Sequence, residues 1–137
     1  MSGETDLRIL LREMRAELAP GVYVFATLPA AAVPAGLDAR LRFEEAEGVT
    51  LILRREEAEA RGIEGVFACR MITLTVHSAL EAVGFIAHVA TRLAAAGMGV
   101  NPVAGFYHDH LFVPEDRAEE AMAVLRGIAA EAGAGPP

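Results

Sequence analysis

Two histidines flank an aspartate in the stretch GFYHDHLFV, residues 105–113. Side chains at positions i and i+2 of a strand project to the same face, so His108 and His110 together could hold a divalent metal ion. A complete site needs at least one more protein ligand, and His77 is one candidate. Asp109 would point to the opposite face of a regular strand. A small metal-dependent enzyme built on the three histidines is therefore one hypothesis for this chain.

The same residues are also typical of a tight turn. Tyr107, His108 and Asp109 stand between two apolar runs, and an aspartate in a turn commonly hydrogen-bonds its own backbone. In this interpretation His110 belongs to the strand that follows. We favour the turn, and we predict neither a metal ion nor another cofactor.

His77, Ser78 and Glu81 lie where a strand-like run gives way to a helical pattern. Ser78 and Glu81 have the S-x-x-E spacing of a capping box, which predicts a helix over residues 78–97 that ends at Gly97. Ser78 is then the helix N-cap. The free backbone N–H groups at such a helix start, with the positive end of the helix dipole, also suit a ligand carboxylate.

Two further candidates have structural explanations. Cys69 begins a strand-like run, and its only basic neighbour is Arg70, so we expect a buried or interface thiol and not a nucleophile. His88 shares one helix face with Glu81 and Arg92, which predicts a solvated position.

The composition argues against several classes of protein. The 137 residues contain 12 arginines and no lysine against 19 acidic residues, a net charge of −7, which argues against a nucleic-acid-binding surface. The single cysteine excludes an intramolecular disulfide and fits a reducing compartment. Residues 1–20 carry charges throughout, unlike a signal peptide, and no later apolar run approaches membrane-spanning length. We therefore expect a soluble, cytoplasmic protein.

Hydrophobic periodicity predicts both helices and strands along the chain. The helices are expected over residues 6–18, 54–62 and 78–97 and from Pro114 onward, and the strands over 22–28, 40–45, 49–53, 69–76, 98–106 and 110–113. Antiparallel hairpins mixed with helical crossovers are typical of an α+β fold and not of a doubly wound parallel sheet.

This order of elements gives two ferredoxin-like halves of the βαββαβ type, with antiparallel sheets and helices on one face. The halves are predicted to cover residues 1–66 and 67–132, followed by a disordered tail, residues 133–137. Neither half alone contains every element of a complete unit. We therefore predict that the two halves exchange or share a strand.

The stretch TLTVHSALEAVGFIAHVATRLAAAGMGVNPVAGFYHDHLFVP, within residues 72–114, resembles the C-terminal signature of small bacterial ACT-domain proteins. The segment LLREMRAELAPGVYVFATL, residues 10–28, resembles these proteins less closely. The order of the remaining elements is similar to the tandem ACT arrangement in the regulatory region of aspartokinases. The resemblance implies two ACT-like halves and a role in sensing a ligand.

The resemblance also implies a place for the ligand. ACT domains typically bind small molecules, most often amino acids, where the loop after the first strand of one unit meets the second strand of a neighbour. The residues that this places in the site are His77, Ser78 and Glu81 of the loop and Val100, Asn101, Pro102 and Val103 of the second strand. His108 and Asp109 are expected to border the ligand pocket or a dimer contact.

One residue of the second strand matches the family pattern, and the next one departs from it. Asn101 matches an asparagine often found there, and its side chain offers an amino acid both a donor and an acceptor. Pro102 departs from the pattern, because a proline inside a strand cannot donate a backbone hydrogen bond. The strand is therefore expected to lie at a sheet edge, to be bulged, or to face a ligand or partner at that position.

We weigh three functions. The favoured one is a small-molecule sensor without catalytic activity, with an amino acid as the expected ligand, that works as a homodimer. The first alternative is the metal-dependent enzyme that uses His77, His108 and His110. The second alternative is an interaction module that binds nothing small and serves only to oligomerise. We expect no nucleic-acid partner and no membrane partner.

Overall fold

The computed structural model describes residues 3–134. The helices are α1 (Leu7–Glu13), α2 (Arg55–Ala60), α3 (Phe85–Ala95) and α4 (Ala118–Ala134), and the strands are β1 (Ala16–Leu18), β2 (Tyr23–Leu28), β3 (Ala39–Glu44), β4 (Val49–Arg54), β5 (Val66–Leu74), β6 (Asn101–Ala104) and β7 (Asp109–Pro114). Short 3-10 turns over Ala30–Ala32 and Glu115–Arg117 precede β3 and α4.

The strands form one antiparallel sheet with the order β3-β4-β2-β5-β7-β6, and β1 pairs with β5 beside that path. One edge of β5 carries β2 along its N-terminal half and β1 along its C-terminal half. The N–H of Ala19 donates to the carbonyl of Met71 at 2.9 Å and bridges the step between β1 and β2. The other edge of β5 pairs with β7. The two halves of the sheet are therefore joined through one strand.

This topology contains two overlapping ferredoxin-like units. The N-terminal unit runs β2, the 3-10 turn, β3, β4, α2 and β5, with the turn in place of its first helix. The C-terminal unit runs β5, α3, β6, β7 and α4, and β1 fills the position of its last strand. Because β5 serves both units, the prediction of a shared strand is confirmed.

The main hydrophobic core lies between the sheet and the helices α1, α3 and α4. Leu10, Leu11 and Met14 of the N-terminal segment are buried in this core, and α1 packs against α4. Asp6 begins α1, because its carboxylate accepts a hydrogen bond from the N–H of Ile9 at 3.1 Å. The N-terminal helix thus packs with the C-terminal elements.

The prediction of one helix over residues 6–18 is wrong in its second half. The chain becomes extended at Met14, whose N–H bonds the carbonyl of Leu10, and residues Ala16–Leu18 form β1. These residues keep a helix-like spacing of apolar side chains. Pairing with the exposed edge of β5 satisfies their backbone groups and overrides the local pattern.

Within residues 3–134, no helix packs on the opposite face of the sheet, and the strands curl there around a smaller core. Tyr23 and Phe25 of β2 pack edge to face against Phe112 of β7, with ring centroids 5.9 Å and 5.8 Å apart. Cys69 is buried here as predicted, its thiol hydrogen-bonds the carbonyl of Tyr23, and burial raises the pKa of Cys69 to about 12. This thiol is a packing residue.

The helix predicted over residues 78–97 begins seven positions late, at Phe85. Gly84, with φ of 93°, is the N-cap, and Ser78 and Glu81 form no capping box. The backbone of Glu4 pairs on both sides of Ser78 and holds residues 77–79 extended, because its N–H bonds the carbonyl of His77 and its carbonyl accepts the N–H of Ala79. The predicted end of α3 is confirmed, since Gly97 follows it with φ of 81°.

The hairpin between β6 and β7 turns one or two residues earlier than predicted. The strands expected over residues 98–106 and 110–113 are Asn101–Ala104 and Asp109–Pro114, and the N–H of Gly105 closes the turn onto the carbonyl of His108 at 2.9 Å. Asp109 is therefore a strand residue. The edge position predicted from Pro102 is confirmed, because β6 is the outermost strand.

The remaining elements follow the predictions closely. The strands expected over residues 22–28, 40–45 and 49–53 and the helices expected over 54–62 and after Pro114 are all present. The tail predicted for residues 133–137 is corrected at its start, where Gly133 and Ala134 belong to α4. Residues 135–137 lie outside the described residues.

Candidate ligand-binding site

A cavity of about 250 Å³ opens between the loop that follows β5, the first turn of α3 and the end of the β6–β7 hairpin. Its lining residues are Ser78, Ala79, Leu80, Ala82, Gly84, Phe85, Ile86, Ala87, Ala104, Gly105 and Asp109. The loop of one strand, a helix start and a neighbouring hairpin thus form one concave surface.

The helix wall of this cavity supplies hydrogen-bond donors. Gly84 offers no side chain to cap α3, and the first intrahelical bond is made by the N–H of His88 to the carbonyl of Gly84. Within the described part of the chain, the N–H groups of Phe85, Ile86 and Ala87 make no hydrogen bond to protein. These donors and the positive end of the α3 dipole favour a negatively charged ligand group.

The hairpin wall supplies a buried carboxylate. Asp109 is only 7% exposed, and the Ser78 hydroxyl donates to its Oδ2 atom at 3.1 Å. No hydrogen bond reaches the Oδ1 atom from any residue between 3 and 134. Burial raises the pKa of Asp109, while the Ser78 bond and the neighbouring His110 and His108 act in the opposite direction. The cavity therefore contains a buried carboxyl group with one oxygen that has no described partner.

Aromatic side chains stand beside the cavity. His77 lies next to Ser78, and its ring centroid is 5.5 Å from that of Tyr107 and 6.4 Å from that of Phe106. Phe106 and Tyr107 pack edge to face at 5.1 Å, and both remain largely exposed. The hairpin tip and the loop after β5 thus hold each other in place at the rim.

The structure brings together only part of the predicted site. Ser78 and Asp109, which are 31 positions apart in sequence, meet in the cavity. His77 precedes Ser78 in the chain and contacts Tyr107 of the hairpin tip, but it does not line the cavity. Glu81 is exposed in the turn before α3, and His108 is half-buried at the end of the hairpin turn. A role for these residues in ligand binding stays a prediction.

The four predicted strand residues do not line this cavity within a single chain. Val100 packs against the main core, and Val103 packs on the helix-free face. Asn101 and Pro102 are exposed on the edge strand. Ala104 and Gly105, one and two positions further along, reach the cavity instead.

Sequence reasoning missed the first turn of α3, Gly84–Ala87, as a wall of the site. A signal for it was present, because a glycine directly before an apolar helical run is a known N-cap. The S-x-x-E spacing upstream gave a competing signal.

The histidines of the metal-enzyme hypothesis do not converge. His77 stacks beside the hairpin tip, whereas His110 lies on the helix-free face with its Nδ1 atom 2.9 Å from the Thr73 hydroxyl. Burial is the main cause that lowers the pKa of His110. Across residues 3–134, no three His, Cys, Asp or Glu side chains come close enough to hold a metal ion.

Comparison with known proteins identifies the class of protein. The chain belongs to the ACT-domain family: one ACT-domain family model matches residues 2–70, and a second matches residues 66–127. The two matches overlap at residues 66–70, in the strand that both units share. The division predicted at residues 66 and 67 stays a prediction. ACT domains are typically regulatory modules that bind small molecules.

Solved structures include a protein that is similar along nearly its whole length. A Vibrio cholerae protein of unknown function, described as a possible transport protein, is 44% identical with a TM-score of 0.82, covering 90% of this chain and 95% of its own. The ligand-free regulatory subunit of aspartate kinase from Thermus thermophilus has a TM-score of 0.65 at 9% identity, covering 86% and 97%. At that identity the likeness concerns the fold alone. Among curated proteins, no significant match is found.

No helix within residues 3–134 has the length and apolar character needed to cross a bilayer.

The buried carboxylate predicts a pH-dependent stability. Because the folded-state pKa of Asp109 is raised, the stability associated with its protonated form is present at low pH and is lost as the pH rises through that pKa. Asp109→Asn keeps an acceptor for the Ser78 hydroxyl and removes the buried charge. We expect this variant to unfold at a higher urea concentration than the parent protein at neutral pH, with a gain that shrinks in acid.

The matched control is Asp38→Asn, which changes an exposed carboxylate in the same way. It should leave the urea midpoint nearly unchanged at each pH. A neutral-pH midpoint of Asp109→Asn below that of the parent protein would contradict the account of a costly buried charge.

Proposed function

We propose that this chain is a sensor of a free amino acid, that the ligand binds in the cavity between Asp109 and the start of α3, and that the protein acts without a catalytic step. The observation that carries the proposal is the pairing of an unused, buried carboxylate oxygen with unbonded helix N–H groups in one cavity. Membership of a family of ligand-binding regulatory modules supports it.

The chemistry of the walls suits a zwitterion. The ligand carboxylate accepts hydrogen bonds from the N–H groups of Phe85, Ile86 and Ala87. The ligand ammonium group pairs with Asp109, whose Oδ1 atom has no other described partner. Since a neighbouring cation favours the ionised form, ligand binding and ionisation of Asp109 promote each other. Both charged ends of an amino acid thus find a partner of opposite polarity.

A second copy of the chain would complete the site. β6 is an edge strand, and Asn101 and Pro102 are exposed on it. In a homodimer, this strand from one copy lies against the cavity of the other, and the Asn101 side chain adds a donor and an acceptor. Val100 and Val103 position the strand, and His77, Glu81 and His108 form the rim.

The composition of the chain and the proposed function both suit a protein of the cytoplasm. The single cysteine is buried and forms no disulfide within residues 3–134, and the net charge of −7 fits neither a nucleic-acid nor an anionic membrane partner. We place the sensor in the cytoplasm, where free amino acids are regulated metabolites.

Ligand binding is tested by calorimetry and thermal shift against the standard amino acids. At least one should raise the melting temperature, because a ligand that binds only the folded state stabilises it. Asp109→Asn should weaken that ligand about tenfold to hundredfold, since a hydrogen bond to a charged group contributes about 1.5–3 kcal/mol. Ser78→Ala should weaken it only severalfold, because Asp109 keeps its charge.

Asp38→Asn is again the control and should bind as the parent protein does. Affinity should rise with pH through the pKa of Asp109, because the ionised carboxylate is the form that pairs with the ligand. A protein that is stabilised by no amino acid and still forms a dimer would instead be the oligomerisation module.

The composite site is tested by mixing two variants that each damage one wall. Asn101→Ala and Asp109→Asn should each bind weakly when pure. A heterodimer of the two variants contains one intact site, so subunit exchange at equal concentrations should restore about one quarter of the sites with full affinity, given random pairing. If the mixture binds no better than the separate variants, the two residues do not belong to one shared site.

A further inference from the structure

Two adjoining cavities lie on the helix-free face of the sheet, and the functions discussed above use neither. The first, of about 240 Å³, is lined by Arg40, Leu41, Met71, Val103, Gly105, His110 and Phe112. The second, of about 340 Å³, is lined by Tyr23, Asp38, Ala39, Arg40 and Arg54. Arg40 is a wall of both cavities. Gly105 alone is common to the first cavity and the one beside α3.

The second cavity contains two guanidinium groups around one phenol. Arg40 donates from Nη2 to the Tyr23 hydroxyl at 2.9 Å, and its Cζ atom lies 5.6 Å from the centre of the Tyr23 ring. The Cζ atom of Arg54 lies 5.7 Å from the same ring. Gly21 allows this position of Arg54, because a Cβ atom there would lie 2.3 Å from its Cζ atom.

The positive charges of Arg40 and Arg54 have few acidic partners among the described residues. Throughout residues 3–134, no carboxylate forms an ion pair with Arg40, and its hydrogen bond goes to a neutral phenol. Arg54 contacts Glu56 only at 3.8 Å in an exposed pair, and its buried Nε atom has no hydrogen-bond partner in that range. Asp38 is the one acidic residue among the residues lining the second cavity.

The first cavity adjoins the second at Arg40, and its other walls are mostly apolar. Leu41, Met71, Val103 and Phe112 supply most of its lining. Leu41 and Val103 come from the two edge strands, β3 and β6, which the curl of the sheet brings to one cavity. His110 adds one polar group, which is held by Thr73 through its Nδ1 atom. An apolar cavity next to paired guanidinium groups matches a molecule with one anionic end and one apolar end.

We propose that the helix-free face binds a small carboxylic acid whose carboxylate is held by Arg40 and Arg54 and whose apolar body fills the adjoining cavity. A guanidinium group binds a carboxylate through two parallel hydrogen bonds, and both Arg40 and Arg54 line the second cavity. Both cavities lie near or below the usual lower size of a ligand pocket, about 300 Å³, which limits the body to a single ring or a short branched chain.

This site is separate from the proposed amino-acid site and needs no ammonium group on its ligand. Asp109 and the first turn of α3 take no part in it. The two sites can therefore be removed one at a time. Failure of one proposal leaves the other testable with the same set of variants.

The probe is phenylacetate, and its control is the neutral phenylacetamide, which has the same ring and nearly the same shape. In calorimetric titrations, the parent protein should bind phenylacetate at least tenfold more tightly than phenylacetamide. Arg40→Gln and, independently, Arg54→Gln should each weaken phenylacetate at least tenfold. Circular dichroism and thermal melts show which of the two variants is folded and suitable for the comparison.

Asp109→Asn is the matched control, and it should bind phenylacetate as the parent protein does. Three results would overturn the proposal: no binding of phenylacetate at millimolar concentration, equal binding of the amide, or unchanged binding by a folded Arg40→Gln variant. Loss of phenylacetate binding in Asp109→Asn would also overturn it, because the probe would then occupy the cavity beside α3.

Discussion

The pairing of β5 joins the two halves of the sheet. This strand runs along β2 and β1 on one edge and along β7 on the other, so its backbone groups close both ferredoxin-like units at once. Ile72 and Leu74 face the helices, while Cys69 and Met71 face the curled side, and all four are buried. A strand buried on both faces and paired on both edges is the most constrained element of such a sheet. The loop that leaves β5 carries Ser78, so the same constraint positions one wall of the cavity.

The paired strands around β5 hold the side chain of Asp109 in a buried position. A carboxylate that is nine-tenths buried is unfavourable in an isolated fold, and here a single hydroxyl compensates it in part. The pairing of β7 with β5 and β6 holds it in place beside the unbonded N–H groups of α3. In the complex that we propose, an ammonium group of the ligand pairs with Asp109 and compensates its buried charge.

The sequence predicted the class of fold because its signals were local. Gly97 predicted the end of a helix, and alternating residues predicted the hairpins, and both predictions were confirmed. Pro102 predicted an edge strand, a bulge or a position facing a ligand or partner, and the structure has the edge strand. β1 was missed because residues 16–18 continue a helical spacing, and only the distant edge of β5 makes them a strand. Ser78 was assigned to a capping box because Glu81 stands three positions later.

The arrangement of the residues around the cavity was missed for the same reason. Ser78 and Asp109 were both named, yet their hydrogen bond spans 31 positions and no local pattern contains it. The backbone of Glu4, which pairs beside Ser78, comes from the other end of the chain. Contacts of this kind depend on the assembled tertiary structure, so periodicity and capping rules cannot reveal them.

We propose that ligand binding replaces the buried, partly compensated charge of Asp109 with an ion pair. The direct measurement is a carbon-13 NMR titration of the Asp109 carboxyl group, made without ligand and with the amino acid that raises the melting temperature most. Asp109→Asn assigns the signal. We expect the pKa of Asp109 to lie above the ordinary value for aspartate in the free protein and to fall clearly when the ligand is bound. The same pKa in both states would contradict it.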